Sequence, residues 1–118
     1  MFHHLKTERF IEAGGRTAQF DGGSFDAGVS FFIVDIDPGE GPPLHRHTYP
    51  ETWIVENGEA EFTVGREKAN AQKGDIVVVP PNAPHKFVNV GSRSLNMVCI
   101  HAANRIEQEN IDELDAAK

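Results

Sequence analysis

Apolar positions along the chain fall in short runs cut by glycine and proline, and no run keeps a helical period for long. The runs are rich in Val, Ile, Phe and Thr, residues that suit half-buried pleated surfaces. Residues 29–36 read as a strand that stops at Pro38-Gly39-Glu40-Gly41-Pro42-Pro43. Residues 52–56 and 60–64 flank Asn57-Gly58, the pair that supplies both positive-φ residues of a type I′ turn, so the pattern predicts a β-hairpin. The chain turns again at Gly65-Arg66-Glu67, runs through a short strand at 68–71, and passes Lys73-Gly74-Asp75 into a strand at 76–79. Pro80-Pro81-Asn82-Ala83-Pro84 is a stiff loop with few backbone donors. Residues 85–90 and 95–101 are expected to pair across Gly91-Ser92-Arg93-Ser94. Many short strands with frequent turns predict an all-β sandwich or barrel. The end of the chain differs. Asn104 with Glu107 three residues on reads as a helix start, and Ile106, Ile111 and Leu114 make a ragged stripe, so a short C-terminal helix is expected.

The chemistry is concentrated in three of the six histidines. Alternate side chains of a strand share a face, so His45 and His47 point the same way. Glu51 keeps that parity if the strand continues, and Trp53 and Val55 follow on the same face. One strand is thus expected to offer two imidazoles, a carboxylate and an aromatic wall. His85 opens a later strand, and closing a barrel can bring it opposite the other three. Three imidazoles and a carboxylate suit a divalent first-row ion: Fe, Mn, Ni, Zn, Co or Cu. Four protein donors leave positions open for substrate, as a catalytic centre needs, whereas structural zinc is usually closed by four ligands that include thiolates. Cys99 alone builds no thiolate site and no intramolecular disulfide.

Two stretches resemble the paired motifs of the cupin superfamily. Gly39, His45, His47, Glu51 and Gly58 fill every slot of the first; Gly74, Pro80, His85 and Asn89 fill the second, with Asn82 where the family has glycine. Asparagine tolerates the left-handed backbone that such a slot asks for. The resemblance implies a double-stranded β-helix, or jelly-roll, barrel, and metal binding by His45, His47, Glu51 and His85. Together with the strand pattern and the expected helix, the chain reads as an N-terminal segment at 1–28, acting as edge strand or dimer contact, a cupin β-barrel at 29–103 and a helical tail at 104–118.

Other residues are read with their alternatives open. Trp53 and Phe87 serve as cavity walls or as plain core. Met97, Cys99 and His101 alternate along one strand; if their parity faces inward, Met97 joins the substrate pocket and His101 or Cys99 touches substrate, and otherwise Cys99 is a small buried hydrophobe and His101 a rim residue. Tyr49, beside Pro50, is a mouth residue or surface packing.

Charge and length set the outer limits. The 118 residues make one domain with enough chain for its own core. A net charge of −7 repels phosphate backbones, which argues against nucleic acid and anionic membrane as partners. No opening apolar run reads as a signal peptide, so a cytoplasmic protein is expected. The cupin resemblance implies a mononuclear metalloenzyme, dioxygenase- or isomerase-like, acting on a small organic molecule, with Glu51 as ligand or base. The alternative is a barrel that binds or senses a small molecule without transforming it. A metal-free structural domain ranks last, because burying three histidines and a glutamate without partners is costly. A homodimer is expected, since open sheet edges need covering.

Overall fold

The computed structural model describes residues 1–113, and its core is a two-layer β-sandwich. Ten strands follow in chain order: β1 (Ala18–Phe20), β2 (Ser30–Ile36), β3 (His45–Arg46), β4 (Glu51–Asn57), β5 (Glu59–Val64), β6 (Glu67–Gln72), β7 (Ile76–Val79), β8 (His85–Asn89), β9 (Leu95–His101) and β10 (Glu109–Asn110). One sheet has the order β1-β2-β9-β4-β7, the other β10-β3-β8-β5-β6, and every pairing is antiparallel. Single 3-10 turns at Thr7–Phe10 and Gly22–Phe25 precede β1 and β2. Among the described residues no helix is long and apolar enough to cross a membrane.

Register stacks the inward side chains of the first sheet in layers. Ser30, His101, Glu51 and Val79 form one row; Phe32, Cys99, Trp53 and Val77 the next; Val34, Met97 and Val55 the third. The facing sheet aligns His45 with His85 and Val64, then Phe87 with Phe62, then Asn89 with Ala60. The polar row of each sheet therefore lies at one end of the sandwich, and the apolar rows fill the middle. Trp53, Val55, Val79, Leu95, Met97 and Phe87 form that apolar core.

Several local expectations change. Asn57-Gly58 does not close a hairpin: β4 pairs with β7 and β9, whereas β5 pairs with β6 and β8. Gly58, at φ +89°, is a corner between the two sheets, and Asn57 is not among the positive-φ residues, so no type I′ turn forms. A Cβ at Gly58 would lie 2.7 Å from Ser94 O, so the corner needs glycine for room as well as for φ. The expected pairing of 85–90 with 95–101 also fails. β8 and β9 lie in different sheets, and Asn89 shapes the corner between them, donating to Arg93 O at 2.8 Å and accepting from Gly91 N–H at 2.9 Å. A hairpin does stand at Gly65-Arg66, where Val64 faces Glu67 and the first turn residue has φ +62°.

The tail is corrected too. Residues 109–110 are a strand, and 106–108 form an irregular strap, because their backbone groups are taken by distant partners rather than by helical ones. Ile106 N–H donates to Asp21 Oδ1 (2.7 Å), Glu107 N–H to the Tyr49 hydroxyl (3.1 Å) and Ile111 N–H to Leu44 O (2.9 Å). The part of the expected helix at 114–118, Leu114 included, lies outside the described residues.

Candidate metal centre

The ligand strand expected to run from His45 to Val55 is broken. β3 ends at Arg46 in one sheet and β4 begins at Glu51 in the other, with Pro50 between them. His45 and His85 come from one sheet, Glu51 from the opposite one, and His47 from the connection. All four are buried, and one donor atom from each lies within 4.8 Å of every other.

Each histidine is oriented through its far nitrogen. Nδ1 of His45 lies 2.7 Å from Pro43 O, Nδ1 of His85 lies 2.8 Å from Ala83 O, and Nδ1 of His47 lies 2.8 Å from Glu107 O. A carbonyl only accepts, so each Nδ1 carries the proton and donates it. In the neutral ring that leaves a bare lone pair on Nε2. Nε2 of His47 and of His85 stand 2.9 and 3.1 Å from Glu51 Oε1. Lone pairs therefore face a carboxylate, an arrangement that calls for a cation among them. The donor set fits a divalent transition metal, and the carbonyls on Nδ1 are the outer contacts that orient imidazole ligands and fix their tautomer.

The electrostatics agree. Burial pushes the His45 pKa down to about 4, so this ring is neutral and free to ligate at neutral pH. Burial by itself would raise Glu51, but the close approach of His101 and hydrogen bonds from His47 and His85, each of which requires a proton on Nε2 where no cation stands, outweigh that and hold it below the usual carboxylate range. Its second oxygen, Oε2, accepts the Trp53 indole N–H at 2.7 Å and lies 3.4 Å from His101 Nε2. Burial pushes the Cys99 thiol well above its ordinary pKa, which keeps it a thiol rather than a thiolate ligand.

A cavity of about 290 Å³ opens beside the cluster, with His45 and Glu51 in its wall. Phe87, Cys99 and His101 also line it, so the parity of β9 left open by the sequence is inward. Trp53 and Met97 sit in the apolar core, and the lining does not include Tyr49, which stands behind His101 with its hydroxyl 2.7 Å from Nδ1. The strap around Glu107 went unread as a site element. The carbonyls two residues before His45 and His85 were locally readable; Glu107, sixty residues from His47, was not.

The cupin domain sequence profile matches residues 32–101, more than half of the chain. The chain belongs to the cupin domain family. Bacillus subtilis oxalate decarboxylase, studied for its Mn(II) centres, superposes with a TM-score of 0.75 at 25% identity, over 86% of this chain and 29% of its own. An oxalate oxidase structure shares the fold, with a TM-score of 0.72 at 23% identity over 86% of this chain and 57% of its own. Gentisate 1,2 dioxygenase 1 of Aquipseudomonas alcaligenes is 42% identical over 55 residues, 46% of this chain and 16% of that enzyme. The uncharacterized protein MJ1618 of Methanocaldococcus jannaschii is 37% identical over 57 residues, 48% of this chain and 46% of its own. The cupin matches thus span under half the length of these two relatives. With the four-residue cluster they make this a metal-binding cupin, its ion a divalent transition metal.

Proposed function

We propose that this cupin is a mononuclear metalloenzyme, of dioxygenase or isomerase type, acting on a small organic substrate. The observation that carries the reading is the cavity: two of the four donors, His45 and Glu51, stand in its wall, so the cluster is not sealed in the core. When bound, the ion would supply Lewis acidity and a template for substrate or oxygen. His45, His47, His85 and Glu51 would hold it. The carbonyls of Pro43, Ala83 and Glu107 keep the three rings in the ligating tautomer, and Trp53 holds Glu51 Oε2. Phe87 and His101 border the space a substrate would occupy. The likeness to a gentisate dioxygenase and to oxalate-processing enzymes supports this class of chemistry.

Elemental analysis of untagged protein purified without chelator tests the reading. Near one equivalent of iron, manganese, nickel or copper is expected, followed by oxygen uptake with one of a panel of small phenols and keto acids. Less than about a tenth of an equivalent, with no uptake on reconstitution, would overturn it. A ligand recovered unchanged from the metal-loaded protein would assign the barrel to binding alone.

The same reading takes the protein as a cytoplasmic homodimer. A free, buried Cys99 suits a reducing compartment. The outer face of the first sheet supports association. Ile33, Val98, Ile54 and Ile76 align in one row, and Phe31, Ile100, Thr52 and Val78 in the next. Ile76 and Val78 are 65% and 66% exposed, and apolar rows of this kind mark association surfaces. Sedimentation is expected to show a dimer at micromolar concentration; a monomer there would count against it.

A further inference from the structure

The cavity beside the cluster has a one-sided charge pattern. Its walls are apolar, with Phe32, Val34 and Ile36 on one sheet and Phe87 on the other. Among the described residues two carboxylates, Glu51 and Glu40, line it, and no lysine or arginine does. A small dianion would pass one carboxylate and settle beside another, with the metal alone to offset both. An uncharged ligand meets no such cost.

His101 supplies the second constraint. Its side chain is 1% exposed and lines the cavity, yet among the described residues Nε2 has no hydrogen-bond partner; Glu51 Oε2 stands 3.4 Å away without forming a hydrogen bond. The Tyr49 hydroxyl, 2.7 Å from His101 Nδ1, has a single proton. It gives that proton either to Nδ1 or to Glu107 O at 3.2 Å. Nε2 is a donor in the first case and an acceptor in the second. A ligand hydroxyl satisfies both.

We propose that the cavity selects an uncharged single-ring phenol bearing a second hydroxyl beside the first. The ring lies among Phe32, Val34, Ile36 and Phe87, one hydroxyl meets His101 Nε2, and the other is left for the metal. About 290 Å³ is at the low end of ligand cavities, which run from about 300 to 1,000 Å³, and suits one ring. This rests on the metal-site reading above.

Full-length protein loaded with Co(II) under anaerobic conditions tests it, with catechol, phenol and oxalate titrated by calorimetry and by cobalt absorption. Catechol is expected to bind at least about tenfold more tightly than oxalate. Ile36→Trp, which fills the cavity from a half-buried position, is expected to weaken catechol by about tenfold or more while cobalt stays near one equivalent. His101→Phe is expected to weaken catechol about fivefold and to leave phenol unchanged, the loss of one hydrogen bond. Oxalate binding as tightly as catechol, or catechol binding unchanged in both variants, would overturn the proposal. Failure of the wild-type protein to take up cobalt would instead overturn the metal reading beneath it.

Discussion

At the scale of single residues, the candidate centre is held by contacts that are not themselves ligands. The Trp53 indole donates to Glu51 Oε2, and both residues are buried. Trp53→Phe removes that donor and leaves a carboxylate oxygen short of a partner. Metal affinity is expected to fall about 10- to 100-fold, read by competition with a coloured chelator; an unchanged affinity would show the indole to be core packing only. Glu51→Gln removes the anionic donor itself, and metal content is expected to fall well below one equivalent by elemental analysis. Gly41 shows a steric constraint of another kind. A Cβ there would lie 2.0 Å from Phe87 O, so Gly41→Ala is expected to cost on the order of 2 kcal/mol or more in urea unfolding. The types of the four donors were legible because His-x-His, Glu and a later His are a ligand vocabulary. Asn82 was legible too, and it adopts φ +67° as the turn requires.

At the scale of elements, the strap formed by residues 106–111 ties the metal centre to Asp21 and, through β10, to β3. Its Glu107 carbonyl orients His47, its Glu107 N–H meets Tyr49, and Asp21 anchors Ile106. Asp21→Ala frees the anchor without touching any ligand. The expected result is faster amide exchange at Ile106 and Glu107, with metal affinity lowered about 10-fold or more. Retained affinity together with fast exchange would show that His47 needs no help from the strap. The elements themselves were read well where the signal was local: β2, β7 and β9 lie where the apolar runs placed them. Their partners were misread. Asn57-Gly58 carries the composition of a hairpin turn, yet each flanking strand finds its neighbours elsewhere in the chain, and the glycine serves as a corner.

For the whole molecule, one end of the sandwich carries the polar row of each sheet and the middle carries the apolar rows. The metal-free state bears the cost of that layer. His45 has an ordinary pKa of 6.5 when unfolded and about 4 when folded, so between these values the unfolded chain binds the extra proton. Stability of the metal-free protein is therefore expected to fall as pH drops from about 6.5 toward about 4, and the His45 contribution levels off below that. Urea unfolding of wild type and His45→Gln across this window measures it, and an equal slope in both would remove His45 as the cause.

What the sequence determined by itself was local and chemical: the donor set, the strand-forming runs, the left-handed turn at Asn82, and two motifs specific enough to name the fold. The tertiary structure alone decided which strands pair, that Glu51 approaches the histidines from the opposite sheet, that β9 turns His101 inward, and that Glu107 reaches back to His47. The division has a physical origin. Turn conformation and side-chain alternation depend on neighbouring residues and are written into short windows. Sheet pairing depends on which distant strand satisfies a row of backbone groups while burying the right face, and no window of the sequence contains both partners.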